Sequence, residues 1–248
     1  MRPLKFLAAT LAVLTAVFGL SCQAIQRKAL FYPTHDARDN GLAKWSHDGE
    51  VIGLAREVAQ PRNVWLLLHG NGGQAADRTY ALTAFSENDS VFILEYPGYG
   101  LRAGKPSRHS IDAAARQAYA LLRARFPHTP VCVAAESIGS GPASVLAGVA
   151  RPPDKMVFVV PFDNLKSVAG EHVSYLPVGI ILAGSWDNVQ AIAGYRGPVE
   201  VFGAERDNVI PVAHAKALAA SLPQAQFHLI PGGHNDWSRA AAVRFQNP

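Results

Sequence analysis

Three short runs in this chain hold the residue types of nucleophilic catalysis. In the first, Ser137 stands between Glu136 and Ile138, where the apolar run 131–135 gives way to a stretch of helical composition. A serine lifted above a sheet on a sharp strand-to-helix turn needs small residues two positions before and after it, because larger side chains would collide across the turn. Ala135 and Gly139 meet that demand, Ala135 being one methyl group larger than the glycine usual there. The bland alternative is a serine that caps the following helix.

The second run is His69-Gly70-Asn71-Gly72-Gly73, directly after the apolar stretch 64–68. A backbone that turns tightly at the end of a strand presents free amides, the requirement for stabilising a developing oxyanion. Asn71 and Ile138 are the candidate donors, through their backbone N–H groups. A phosphate-binding loop is poorly supported, because no Lys-Ser or Lys-Thr pair follows the glycines. His69 is expected to shape its own loop.

The third run is Pro231-Gly232-Gly233-His234-Asn235-Asp236, a histidine in a glycine-supported loop after the last apolar stretch. His234 is therefore the candidate general base. The other histidines, His35, His47, His109, His128, His172, His214 and His228, are expected to be surface or satisfied core residues. The acid that orients the base is expected between nucleophile and base, and Asp207 follows the run 199–202 in that position. Asp163 also follows a strand-like run and is the rival, although it could simply cap the segment it opens. Glu136 either hydrogen-bonds beneath the turn or is solvated. The run Glu95-Tyr96-Pro97-Gly98-Tyr99-Gly100 offers no catalytic atom and reads as a turn beside the site, with Glu95 structural.

These residues need a scaffold, and its elements follow from periodicity. Apolar runs of strand length recur at 64–68, 91–94, 131–135, 156–160, 199–202 and 226–230. Between them lie helical segments at 74–85, 110–126, 139–150, 212–222 and 236–245. In the second of these, Ile111, Ala114, Ala115, Ala118, Leu121, Leu122 and Arg125 recur at spacings of three and four, one face for the sheet. Strand followed by helix, repeated, predicts an α/β class with a mainly parallel sheet covered on both faces. The stretch 49–58 is expected to add one or two entry strands. Residues 164–195 break the alternation and are expected to form a small helical lid.

Composition bounds the rest. The 248 residues are 49% hydrophobic and 17% charged, which suits one large domain, expected over 29–248, with no second unit. The formal charge of +4 includes Arg2 and Lys5 of the N-terminal stretch, and the remaining basic residues form no stripe, so nucleic acid is not an expected partner. Arg2 and Lys5 precede an uncharged apolar run, 6–20, that is short for a membrane span. Residues 1–22 are accordingly expected to be an export signal to the cell envelope, with an uncleaved membrane anchor as the alternative. Cys22, after Gly19-Leu20-Ser21, is a candidate lipidated N-terminal cysteine, in imperfect lipobox context. Cys132 lies in an apolar run and is expected to be a buried strand thiol; two cysteines imply no disulfide framework.

Taken together, Phe31-Tyr32-Pro33, His69-Gly-Asn-Gly72, Glu95-Tyr-Pro-Gly-Tyr-Gly100, Ser137-Ile-Gly-Ser-Gly-Pro142, Asp207 with Val209-Ile-Pro211, and Gly233-His-Asn-Asp236 resemble the α/β-hydrolase superfamily. Within it the likeness is to the small-lid, Bem-like branch of serine hydrolases. That resemblance implies an eight-stranded sheet, hydrolysis through an acyl-enzyme, and neither metal nor organic cofactor. The expected function is cleavage of carboxylic esters or thioesters, with Ser137, His234 and Asp207 as the triad. The expected partner is a small acyl ester or lipid, with attachment to a membrane only through the N-terminus, and the chain is expected to be monomeric. A serine peptidase acting on amides, and an inactive membrane-associated scaffold, are the competing readings.

Overall fold

The computed structural model describes residues 27–28, 30–36, 40–173, 182, 184–239, 243–246 and 248. The proposed signal, residues 1–22 with Cys22, lies outside them, as does much of the middle of the segment 164–195. Among the described residues, no helix is long and apolar enough to cross a membrane.

Eight strands form one sheet: β1 (Ala43–His47), β2 (Glu50–Arg56), β3 (Val64–Leu68), β4 (Ser90–Leu94), β5 (Val131–Glu136), β6 (Met156–Val159), β7 (Val199–Ala204) and β8 (Ala225–Ile230). Their order across the sheet is β8-β7-β6-β5-β3-β4-β2-β1. Strands β3 to β8 run parallel, and β2 is antiparallel to both β1 and β4. The entry hairpin thus starts earlier than the periodicity predicts: 49–58 yields only β2, and its partner lies upstream. With a single buried residue, Trp45, β1 is an edge strand, and it leaves little apolar signal to detect.

The central strands are buried on both faces, as a parallel sheet requires. Alternate residues of β3 divide accordingly: Val64, Leu66 and Leu68 belong to one core, Trp65 and Leu67 to the other. The first core is covered by α1 (Arg108–Arg125), α2 (Ser140–Val145) and α5 (Val212–Ala220). Helix α1 opens on a capping box between Ser107 and Ser110 and buries Ile111, Ala114, Ala115, Ala118 and Leu122, as the spacing predicts. Arg125, counted in that face by spacing, is exposed instead.

The second core is covered differently from expectation. The segment 74–85 is a 3₁₀ helix, Ala75–Ala84, whose buried residues Ala75, Arg78, Ala81 and Ala84 recur every third position. That is the spacing at which 3₁₀ side chains eclipse. Among the described residues of the expected helix 236–245, Trp237–Arg239 form a 3₁₀ turn, and 243–246 have no regular structure. There Val243 and Phe245 are buried while Arg244 and Gln246 are exposed, a period of two rather than 3.6. An extended chain lets both apolar side chains reach the sheet. Phe245 meets Phe85 at 4.7 Å and Trp65 at 5.9 Å between ring centroids, and its N–H donates to the Ala84 carbonyl at 2.8 Å.

Between β6 and β7, the described residues hold two short helices, α3 (Leu165–His172) and α4 (Asn188–Ile192). Asn164, not Asp163, caps α3, its side chain accepting from the Lys166 N–H. Asp187 caps α4 in the same way.

Candidate active site

All the candidate residues lie at the C-terminal ends of parallel strands, the edge of an open α/β sheet where ligands bind. Strand β5 ends at Glu136, and Ser137 follows with φ of 53°. That left-handed conformation costs a non-glycine residue on the order of 1–3 kcal/mol and persists only when its surroundings enforce it. Here they do. The Ser140 hydroxyl donates to the Ser137 carbonyl at 2.7 Å, and the Asn188 amide donates to the Ser140 hydroxyl at 2.9 Å. A Cβ at Gly139 would overlap the Leu68 carbonyl, so the turn passes β3 at a distance only glycine allows. No side chain caps α2, so Ser137 is not the N-cap of that helix.

Its hydroxyl instead faces His234 Nε2 at 2.9 Å, and His234 Nδ1 faces Asp207 Oδ2 at 2.7 Å. A carboxylate can only accept, so Nδ1 carries the proton and Nε2 is free to accept from the serine. Gly232, with φ of 96°, turns the histidine loop, and Asp236 holds it by accepting the Gly233 N–H at 2.9 Å. The second oxygen of Asp207 accepts the N–H groups of Val209 and Ile210 at 2.9 and 2.8 Å, which fixes the carboxylate before any substrate arrives. Asp163 is engaged elsewhere: its carboxylate accepts from His214 Nδ1 at 2.7 Å, and His214 Nε2 lies 3.2 Å from Glu171. His214 is thus a buried core histidine satisfied by Asp163, one of the two environments expected for it.

The run His69 to Gly73 lies beside Ser137, and Asn71 and Ile138 both line the cavity onto which Ser137 opens. What the sequence did not reveal is how the loop is held. The Glu95-Tyr-Pro-Gly-Tyr-Gly100 run proves to be its scaffold. Tyr96 donates to the His69 carbonyl at 2.8 Å and Tyr99 to the Asn71 side-chain oxygen at 3.1 Å. Glu95 accepts the Ala75 N–H at 3.1 Å, serving the start of a 3₁₀ helix that has no side-chain cap of its own. The His69 ring is fully buried, stacks on Tyr96 and donates from Nδ1 to the Gly70 carbonyl at 2.7 Å.

Glu136 is buried, which settles the alternatives left by its sequence position. Tyr80 donates to its carboxylate at 2.8 and 3.0 Å and in turn accepts from Arg78 Nη1 at 3.0 Å. Burial raises the pKa of Tyr80, Tyr96 and Tyr99 alike, so each phenol keeps its proton and donates. Neither Arg78 nor Tyr80 carries a sequence signal, since both lie on a helix with no recognisable motif.

The cavity measures about 810 Å³. Its lining combines the apolar residues Phe162, Leu165, Val168 and Ile210 with Gly70, Asn71, Gly72, Arg78 and Glu136. Helix α3 supplies Leu165, Val168, Ala169 and His172 to the lining, and its last residue is tied to the acid loop by a hydrogen bond from His172 Nε2 to the Val209 carbonyl at 2.8 Å. The arrangement can therefore hold an apolar chain against an activated hydroxyl with amides close by.

No family model matches the chain. Among curated proteins, an uncharacterized protein of Mycobacterium tuberculosis is 32% identical over 176 residues, covering 69% of this chain and 62% of that one. The alpha/beta hydrolase domain-containing protein aho-3 of Caenorhabditis elegans is 29% identical over 197 residues, 76% of this chain and 57% of the relative. The lysophosphatidylserine lipase ABHD12 of Xenopus tropicalis is 30% identical over 182 residues, 62% of this chain and 45% of the relative. The chain thus spans roughly half the length of these relatives. Among solved structures, TT1662 from Thermus thermophilus superposes with a TM-score of 0.63 at 20% identity, over 78% of this chain and 90% of that one. An alpha-beta hydrolase from Vibrio vulnificus gives 0.62 at 18% identity, over 77% and 78%. These likenesses do not single out the Bem-like branch. The chain therefore has the α/β-hydrolase fold, and in sequence it is similar to proteins named for an alpha/beta hydrolase domain.

Proposed function

We propose that the protein is a serine hydrolase that cleaves carboxylic esters or thioesters through an acyl-enzyme. The observation that carries this reading is the unbroken line from Ser137 Oγ through His234 to Asp207, with contacts of 2.9 and 2.7 Å. His234 Nε2 removes the hydroxyl proton as Ser137 Oγ attacks the carbonyl carbon, and Asp207 stabilises the imidazolium that forms. The N–H groups of Asn71 and Ile138 receive the negative oxygen. Collapse expels the alcohol or thiol, which takes its proton from His234, and water then releases the acid by the same route. The apolar lining residues Phe162, Leu165, Val168 and Ile210 suit an acyl chain. A lipid ester is consistent with that lining, and one relative carries the name of a lysophosphatidylserine lipase. Residues 1–22 would deliver the domain to the cell envelope, where such esters are at hand.

The test is labelling with an active-site fluorophosphonate, followed by a panel of acyl esters, acyl thioesters and aminoacyl amides. Wild-type protein should label and turn over esters, while Ser137→Ala should do neither and melt at an unchanged temperature. Labelling of Ser137→Ala would remove the nucleophile assignment; preferential cleavage of amides would move the protein to the peptidases.

A further inference from the structure

We propose that Arg78 is a positioning residue that aims the Asn71 N–H at the substrate oxygen by gripping the carbonyls on either side of it. The proposal rests on the oxyanion role given to Asn71 above. The peptide joining Gly70 to Asn71 is trans, so the Gly70 carbonyl and the Asn71 N–H point in opposite directions, and whatever fixes one fixes the other. The Gly70 carbonyl accepts from His69 Nδ1 at 2.7 Å and from Arg78 Nη2 at 3.4 Å. The same Nη2 donates to the Gly72 carbonyl, so one guanidinium nitrogen spans Asn71. The carbonyls are drawn toward buried protein, which turns the Asn71 amide the other way.

The other arm of the guanidinium reaches the second half of the oxyanion site. Arg78 Nη1 donates to Tyr80, and Tyr80 donates to Glu136, the residue immediately before the nucleophile and two before Ile138. All donors in this relay run in one direction, so each link strengthens the next. Arg78 thereby couples the loop after β3 to the turn after β5, the two elements that carry the candidate donors. Room for the grip comes from Gly73: with φ of 98°, a Cβ there would lie 2.8 Å from the Asp77 carboxylate and 3.1 Å from Arg78 Nη2. Burial works against the charged form of Arg78, but Glu136 and Tyr80 outweigh it and raise the pKa, so the cation persists. With Glu136 balancing its charge through Tyr80, Arg78 acts through the carbonyls rather than as a free cation for the substrate. A lysine cannot replace it, because an ammonium lacks the planar fork that meets three acceptors at once.

The experiment compares Arg78→Lys, Arg78→Met and Tyr80→Phe with wild type and Ser137→Ala, using an acyl ester substrate, an alkyl trifluoromethyl ketone that forms an oxyanion on Ser137, and a fatty acid that does not. Loss of one oxyanion donor lowers turnover by about 10²–10³-fold. Arg78→Met should approach that loss, and Arg78→Lys should lose about 10–100-fold, with KM held within about threefold. Affinity for the ketone should fall in step with kcat, while affinity for the fatty acid stays unchanged. Tyr80→Phe leaves the carbonyl grip in place and should lose less than about tenfold, in the same pattern. A merely structural role would lower the melting temperature and active fraction without separating ketone from fatty acid. The proposal is overturned if ketone affinity survives in folded Arg78→Lys or Arg78→Met, or if KM rises while kcat holds, which would make Arg78 a substrate-binding group. Should the Arg78 variants not fold, loss of ester and ketone selectivity in Tyr80→Phe sustains the proposal, and unchanged selectivity overturns it. Undiminished activity of Ser137→Ala would instead remove the hydrolase reading itself.

Discussion

Replacing Asp207 by asparagine separates the geometry of the histidine from its chemistry. The new side chain keeps one oxygen for the Val209 and Ile210 amides, which Asp207 now accepts at 2.9 and 2.8 Å, so the turn should survive. Its NH₂ group then meets His234 Nδ1, where the carboxylate oxygen stands at 2.7 Å. Two donors cannot face each other, so the imidazole must move its proton to Nε2, leaving no acceptor for the Ser137 hydroxyl at 2.9 Å. The side chains of His234 and Asp207 are only 8% and 1% exposed, so solvent cannot take the place of the link between them. A wrong tautomer in such a relay costs about 10⁴ in kcat, or roughly 5.4 kcal/mol of transition-state stabilisation. Asp163→Asn disturbs the contacts with His214 and the Asn164 N–H, neither of which reaches His234, and should cost less than about tenfold. Turnover of p-nitrophenyl butyrate, normalised by active-site titration and accompanied by melting curves, measures both. The reasoning is refuted if Asp163→Asn is the more damaged variant, or if folded Asp207→Asn keeps more than about a tenth of wild-type turnover.

Two further substitutions test the scaffold. Gly139→Ala drives a methyl group into the Leu68 carbonyl, which belongs to a strand fully buried in the sheet, and should destabilise by about 1–3 kcal/mol, a melting-temperature loss of several degrees; an unchanged melting temperature would show that the turn can retreat from β3. Phe245→Ala removes a ring packed among Trp65, Phe85, Phe202 and Trp237 and should cost about 3–5 kcal/mol in urea unfolding; a cost below about 1 kcal/mol would show that the C-terminal residues contribute nothing to the second core.

How much of this was legible in the sequence depended on the kind of signal. Strands buried on both faces announce themselves as apolar runs, so all six parallel strands were found to within two residues. Ser137, His234 and Asp207 stood out as candidates because each sits among small or turn-forming neighbours, and the fold brings the three within hydrogen-bond distance. Edge strand β1 was missed because a half-exposed strand need not be apolar. The C-terminal segment was misread because 236–245 is of helical length and carries the run Ala240-Ala241-Ala242, and nothing local states that Val243 and Phe245 are drawn to the sheet as an extended pair. Arg78, Tyr80 and Tyr99 were illegible for a deeper reason. Each acts through a partner brought near only by the fold, such as Glu136 to Tyr80 across 56 positions, and a spacing rule cannot see such pairs.

The Ser137–His234 contact joins residues 97 positions apart, and Phe245 reaches back to the third strand from beyond the last one. Contacts of such long range carry the largest loop-closure entropy and form after local helices and hairpins are in place. Recovery of ester cleavage on dilution from denaturant should therefore trail the return of helical signal. Turnover would then report a closure that follows the local elements, making the site a built-in clock for the late stages of folding.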